Sequence, residues 1–219
     1  MSSVQLAQEL LSAIINEVQA QNDLQACALV SRSFVVSSQQ RLYRTLCLVV
    51  EPLSHLVSVP NPPVAPVLSC DSALKLFTMS PHLAGYVRDL TLYLPQNPDY
   101  TLLETVLQHV SGRITHLSIS SLQYVFPWAY LPSSTASLLD DIFHRPQFRS
   151  LSLTRVIGVP LSLLDHATTF FESISLSEVS IKEDLPALTP RRCAAASRYL
   201  RDVCISVRVV YPHISQLTF

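Results

Sequence analysis

The side chains that could carry out catalysis or bind a metal are few and widely spaced. His109 and His116 lie on either side of Gly112, and no H-E-x-x-H pattern or other useful histidine–carboxylate spacing occurs. The three glycines form neither a G-x-G-x-x-G nor a P-loop pattern, and no G-x-S-x-G elbow is present. Asp140-Asp141 is interpreted as part of the solvated face of a helix. We therefore predict no catalytic residue, no cofactor, no metal site and no enzyme activity.

The five cysteines, at positions 27, 47, 70, 193 and 204, are scattered along the chain. No C-x-x-C pair occurs, so their spacing supports neither a zinc site nor a disulfide framework. Cys27 and Cys47 stand among apolar residues and are expected to be small buried hydrophobic side chains. Reduced thiols are typical of the cytoplasm and nucleus, which are the expected locations.

An aromatic cluster, Phe126-Pro127-Trp128-Ala129-Tyr130, is a candidate target-binding site. Exposed Trp and Tyr side chains anchor many protein interfaces, which favours binding through Trp128 and Tyr130. Alternatively, the cluster is a plug that packs under the neighbouring repeat elements. The sequence leaves both interpretations open.

The charge and hydropathy of the sequence limit the class of partner that the chain is expected to bind. The 219 residues carry a formal net charge of −1, which predicts no binding to nucleic acid. Only 14% of the residues are charged and 48% are hydrophobic, so part of the apolar surface is expected to contact a partner protein. Five arginines between Arg191 and Arg208 are expected on a solvated helix face, with a phosphate-binding patch as the alternative.

No segment predicts an association with a membrane. No run approaches the roughly 20 apolar residues that a membrane span needs. A signal peptide is not expected, because Met1-Ser2-Ser3 contains no basic residue and Glu9 and Glu17 interrupt any apolar stretch.

Residues 4–50 are predicted to form a module of three short helices. The first contains an apolar stripe of Leu10, Leu11, Ile14, Ile15 and Val18. It should end near Gln21-Asn22; Asp23 should cap the second helix, and Ser37 or Ser38 the third. So small a unit rarely has a self-sufficient core, so we expect it to need a neighbour.

Five prolines between residues 51 and 68 predict a linker or loop that separates this module from a second domain, residues 69–219. The second domain contains a repeat of apolar residues at relative positions 1, 3 and 6. Its members are Leu117, Ile119 and Leu122; Leu151, Leu153 and Val156; and Ile174, Leu176 and Val179. Weaker relatives are Leu90–Leu92, Val203–Ile205 and Leu217–Phe219. Positions 1 and 3 should face one side of a strand, toward the core.

Helical signals fill the gaps between these strands. Ser80-Pro81 and Thr189-Pro190 are typical helix starts; Tyr100–Val110 is predicted as a helix followed by Gly112; and another should run from Ser133-Ser134 to about His144. The alternation predicts an α/β fold, either an irregular leucine-rich-repeat-like arc of strand–helix units or a small parallel sheet.

Residues 6–48 resemble an F-box, a helical module followed in large fungal families by leucine-rich repeats. The matching positions are Leu6, Glu9-Leu10-Leu11, Ile14-Ile15, Asp23-Leu24, Leu29-Val30-Ser31-Arg32, Phe34, Leu42-Tyr43-Arg44 and Leu46. The segment from Ser80 to Leu92 resembles the start of the repeat region in those families. Ala7 departs from the pattern, since the family usually has proline there, and weaker docking is the expected consequence.

The resemblance implies a substrate-recognition subunit of a cullin–RING (SCF-type) ubiquitin ligase. Such a subunit docks on a Skp-family adaptor through the F-box, and its repeats bind a target protein whose identity the sequence does not indicate. The implied adaptor-binding residues are Leu6, Leu10, Leu11, Ile14, Ile15, Leu29, Val30, Phe34, Leu42 and Tyr43. Three alternatives remain: helices that merely pack on the arc, a repeat scaffold without a ligase role, and an unrecognised hydrolase.

Overall fold

A computed structural model of the chain describes residues 8–50, 65–95, 100–121, 125–163, 171–182 and 202–206. It begins with three helices: α1 (Gln8–Glu17), α2 (Gln21–Val30) and α3 (Arg32–Arg44). Ile15, Leu24 and Leu42 are buried between them and form a small helical core. Three helices therefore occupy the segment where the sequence predicts three.

The predicted starts of the second and third helices are wrong. Helix α2 begins at Gln21, so Asp23 lies in its first turn and is not its cap. Helix α3 begins directly after Ser31, whose extended backbone ends α2 and whose Oγ accepts a hydrogen bond from the Ser33 amide at 3.3 Å. Ser37 and Ser38 are buried within α3. The true cap lies earlier because one residue serves as both the end of α2 and the start of α3.

Eleven strands follow in the described residues, and every pairing between them is parallel. They are β1 (Thr45–Val49), β2 (Val67–Ser69), β3 (Asp89–Leu94), β4 (His116–Ser121), β5 (Phe126–Pro127), β6 (Ser150–Thr154), β7 (Val156–Ile157), β8 (Val159–Pro160), β9 (Ser173–Ser177), β10 (Ile181–Lys182) and β11 (Asp202–Ser206). Seven of them form one sheet in the order β11-β9-β6-β4-β3-β1-β2. The protein is thus a mixed α/β fold built on a parallel sheet. The pairs β5–β7 and β8–β10 form two short ladders.

Four helices connect the strands from β2 to β6: α4 (Cys70–Met79), α5 (Pro81–Ala84), α6 (Tyr100–Val110) and α7 (Ser133–Phe143). Helix α6 packs between α4 and α7, so the three form a continuous layer. The predicted helix Tyr100–Val110 is confirmed, and so is the start at Ser80-Pro81. Thr189-Pro190 lies outside the described residues.

The main core lies between this helical layer and one face of the sheet. Leu90, Leu92, Leu117, Ile119, Leu151, Leu153, Val156 and Ile174 are all buried there. Leu176 and Val179 are half-buried against the same core. The predicted inward register is therefore confirmed for these residues, while Leu122 and Leu217–Phe219 lie outside the described part of the chain. Val203–Ile205 lies within β11.

The other face of the sheet carries rows of hydroxyl side chains. One row consists of Thr91, Ser118, Ser152 and Ser175, which are in register on β3, β4, β6 and β9. Strand alternation explains the row, because each of these residues follows a buried apolar residue of the main core.

Strand β1 joins the helical segment to the sheet. It follows α3 directly, and its Leu46 and Leu48 are buried in the main core. Strand β2, at the end of the predicted linker, pairs with β1 at the sheet edge. Residues 51–64 of that linker lie outside the described part of the chain. No helix among the described residues has the length and apolar character required for a membrane span.

Candidate protein-interaction surfaces

Four of the predicted adaptor-binding residues are exposed on the helices. Leu29 and Val30, at the end of α2, are 88% and 77% exposed, and Leu10 and Ile14 on α1 are about half exposed. Val36 on α3 is also exposed, although the sequence interpretation omitted it. We call these five residues the apolar surface. They are half of the ten large exposed hydrophobic residues in the described part of the chain, which concentrates unpaired apolar area on the first three helices.

The remaining predicted adaptor-binding residues have other positions. Leu11, Ile15 and Leu42 are buried and inaccessible to a partner, and Ile15 and Leu42 belong to the helical core. Phe34 and Tyr43 are half-buried against the helical core. Burial raises the pKa of Tyr43 above its ordinary value. Leu6 lies outside the described residues.

Helix α1 presents three distinct sides. Leu10 and Ile14 face solvent, whereas the residues that follow them in the chain, Leu11 and Ile15, are buried. Ser12, which follows Leu11, lies on a third side of the helix. Its Oγ is 3.0 Å from the Oγ of Ser37 on α3. At 100° per residue this third side is about 200° from Leu10. The exposed apolar side of α1 is therefore roughly opposite its polar side.

The residues of the aromatic cluster differ in their burial. Phe126 is buried, and Trp128 is half-buried against the main core, which favours the plug interpretation for those two residues. Tyr130 is 62% exposed and remains available to a partner. Trp128 also lines a cleft of about 570 Å³ together with Asp140 of α7 and with His144, which directly follows that helix.

A groove rich in arginine lies between the first helices and the leading ends of the strands; we call it the basic groove. It encloses about 710 Å³ and is lined by Arg41, Arg44, Arg88, Arg113 and Arg149. The sequence interpretation missed it, because these residues are far apart along the chain. A usable signal was present, since three of the five immediately precede the strands β1, β3 and β6.

Backbone hydrogen bonds place three of these arginines, Arg44, Arg88 and Arg149, in one row at the end of the sheet where the strands begin. The Arg88 amide donates to the Arg44 carbonyl at 2.8 Å, the Thr115 amide donates to the Arg88 carbonyl at 2.8 Å, and the Arg149 amide donates to the Thr115 carbonyl at 2.8 Å. Parallel strands that begin in register thus place the residues before them in one row. Arg41 is added from α3, one turn before Arg44.

The described histidines and cysteines form no cluster of the kind that holds a metal ion: within the described residues no group of three His, Cys, Asp or Glu side chains has suitable geometry. His116 lies 2.7 Å from Asp89, whereas His109 packs near Phe77. Cys47 is buried, and this burial raises the pKa of its thiol. Cys27 is only partly buried.

Comparison with known proteins provides no family assignment. No family model matches the chain, and neither the curated proteins nor the solved structures include a significant match.

Proposed function

We propose that this chain is a substrate-recognition subunit of an SCF-type ubiquitin ligase. In this proposal the three helices are an F-box that docks on a Skp-family adaptor, and the strand–helix units are an irregular leucine-rich-repeat-like arc that binds a target protein. The order of the sheet supports the second part, since β3, β4, β6, β9 and β11 are neighbours in chain order. Stacking of consecutive units in this way is typical of repeat proteins.

The observation that carries the proposal is the exposure of Leu29 and Val30. They begin the Leu29-Val30-Ser31-Arg32 segment that resembles the F-box core. Burying a Leu or Val side chain is worth about 1.5–3 kcal/mol, and the isolated chain does not gain this free energy for the two adjacent side chains that it leaves in water at the end of α2. A partner with an apolar face would recover that free energy.

The test is a binding measurement between the full chain and a Skp-family adaptor, with Leu29→Ala and Val30→Ala combined. Alanine preserves the helix and removes most of the exposed apolar area. We expect the affinity to fall at least tenfold, which corresponds to about 1.4 kcal/mol.

The matched control is Met79→Ala, since Met79 is 85% exposed at the end of α4, outside the apolar surface. It should leave the affinity unchanged. Wild-type affinity in the Leu29→Ala, Val30→Ala variant, with an unchanged melting temperature, would reject this docking site. Failure of the wild-type chain to bind any Skp-family adaptor would reject the ligase role.

A repeat-type interaction scaffold without a ligase role is the second candidate. It is favoured by the contacts that tie the helices to the rest of the fold: Tyr43 packs against both the helical core and the main core, and Gln39 is 3.3 Å from His82. Under this alternative the chain fails to bind the adaptor but retains a protein partner whose binding depends on the exposed Tyr130.

A further inference from the structure

The basic groove contains more positive charge than its own carboxylates neutralise. Arg44 Nε is 3.6 Å from Asp89, and Arg149 forms an ion pair with Glu172. The other three arginines, Arg41, Arg88 and Arg113, have no carboxylate within salt-bridge distance among the described residues. Counting only arginines and carboxylates, five against two leave a local charge of +3, in a chain whose formal net charge is −1.

The unpaired guanidinium groups are held close together by the fold. Arg88 Nη1 donates to the Gly85 carbonyl at 3.0 Å, and Arg113 Nη1 donates to the same oxygen at 3.4 Å. Burial, followed by the charges of Arg113 and Arg44, lowers the pKa of Arg88 below its ordinary value, while Asp89 acts in the opposite direction. Two like charges that share one neutral acceptor repel each other, and an anion between them would remove that repulsion.

Arg41 lines the same groove and has an unsatisfied donor. Its Nε is buried and has no hydrogen-bond partner among the described residues. A buried donor without a partner is costly, and charged donors cost more than neutral ones. Guanidinium groups bind carboxylate and phosphate oxygens with matched, often bidentate geometry. The groove therefore has the donors and the charge that an oxyanion requires.

We infer that the basic groove binds a short peptide segment with closely spaced oxyanions, either phosphoserines or a run of acidic side chains. The lining also includes Asn16 and Gln40, whose amides can donate to and accept from a peptide backbone. A long nucleic acid fits less well, because a chain with a formal net charge of −1 provides no net attraction for a phosphate backbone beyond the groove. This inference does not depend on adaptor docking, since the groove faces the polar side of α1, away from Leu10 and Ile14.

The experiment measures binding of labelled peptides to the full chain by fluorescence anisotropy. One peptide contains a pair of phosphoserines, the second has glutamates at those positions and the third has glutamines. The first two should bind more weakly as salt increases, because the ion pairs are screened. The ratio of their affinities identifies the source of the oxyanion. Equal binding of the glutamine peptide would overturn the inference.

The test variant combines Arg44→Gln and Arg113→Gln, both exposed residues of the groove. Loss of two charged donors should weaken binding of the anionic peptides about tenfold or more. The matched control combines Arg32→Gln and Lys75→Gln, which remove the same charge from exposed positions outside the groove lining and should leave affinity within about twofold. An equal loss in the control would show that only net charge matters and would overturn the site.

Two further measurements complete the design. Arg113→Gln alone should still weaken binding, and it provides a test if the double variant does not melt cooperatively. A single-stranded oligonucleotide of the same charge as the phosphopeptide should bind more weakly than the peptide. Equal or tighter binding of the oligonucleotide would overturn the assignment to a peptide.

Discussion

At the scale of single residues, a substitution at Leu153 tests which face of β6 points toward the main core. The Leu153 side chain is completely buried in the main core, in the middle of β6. An aspartate at this position would place an unpaired carboxylate among apolar side chains, which costs several kcal/mol. Because total stability is typically about 5–15 kcal/mol, Leu153→Asp should abolish cooperative thermal unfolding, as followed by circular dichroism.

The control for this prediction is Ser175→Asp, on the hydroxyl face of the same sheet. Ser175 is exposed, so water solvates the new carboxylate, and a cooperative transition near the wild-type temperature is expected. A Leu153→Asp variant that is soluble and melts like the wild type would show that Leu153 does not face the core.

The residues of the interaction surfaces could be predicted only in part. The sequence identified the apolar stripe of α1, but Leu10 and Leu11 are adjacent in it, and only the tertiary packing of α1 decides that Leu11 is buried and Leu10 exposed. The basic groove could not be derived from local spacing, since residues as far apart in the chain as Arg41 and Arg149 line it only because distant strands pair. Local patterns determine which residues share a face of one element, whereas the tertiary fold determines what that face meets.

At the scale of elements, Glu104 links two helices. It lies on α6, and its carboxylate accepts hydrogen bonds from Ser134 and, at 2.6 Å, from Thr135, both in the first turn of α7. Pro132 occupies the cap position of α7 and cannot supply a side-chain cap. The preceding helix therefore provides the negative charge that favours a helix N-terminus.

This linkage makes a pH-dependent contribution to stability. The hydrogen bond from Ser134 and then that from Thr135 lower the pKa of Glu104, while burial opposes them. With a folded pKa below the unfolded one, the contribution is complete above the unfolded pKa and disappears as pH falls through the folded pKa. Glu104→Gln should lower the unfolding free energy by about 0.5–1 kcal/mol at neutral pH.

Urea unfolding at several pH values measures this effect. The difference between wild type and Glu104→Gln should shrink as the pH falls below about 4. Asp141→Asn, which removes an exposed carboxylate from α7, should show no comparable loss at neutral pH. A Glu104→Gln difference that is constant with pH would contradict the proposed role of the charge.

Elements with both a start and a stop signal were predictable, and those with shared boundaries were not. Tyr100–Val110 has four buried residues at helical spacing and Gly112 soon after its end, so its bounds were recovered. Helices α2 and α3 are separated by Ser31 alone, which left no loop to recognise. Strands β3, β4, β6 and β9 were recoverable because each places two Leu or Ile residues on one face, whereas β1 lies within the segment predicted as a three-helix module and was not predicted.

At the scale of the whole molecule, the apolar surface predicts that the isolated chain binds hydrophobic dyes and self-associates. A hydrophobic dye should bind the wild type and fluoresce at least about twice as strongly as with a variant combining Leu10→Ser, Ile14→Ser, Leu29→Ser and Val30→Ser. Under the proposed function, co-expression with a Skp-family adaptor should also suppress the signal, because the adaptor would cover the same residues.

The control combines four substitutions to serine at exposed apolar positions elsewhere, Met79, Val125, Ile157 and Ile181. It should retain most of the dye signal. An equal reduction in both variants would mean that exposed apolar residues bind the dye regardless of their position in the fold. A wild-type chain that is monomeric and binds no dye would contradict the prediction altogether.

The order of the sheet has a consequence for synthesis on the ribosome. Strands β3, β4, β6, β9 and β11 begin at residues 89, 116, 150, 173 and 202, and each pairs with its predecessor. At about 5–20 residues per second, one unit emerges every 1–7 s or so, far longer than the microseconds in which local elements form. Each strand thus has time to dock before the next appears. From β3 onward the nascent chain grows by adding strands to one open sheet edge, and that edge is what a stalled ribosome would display to chaperones.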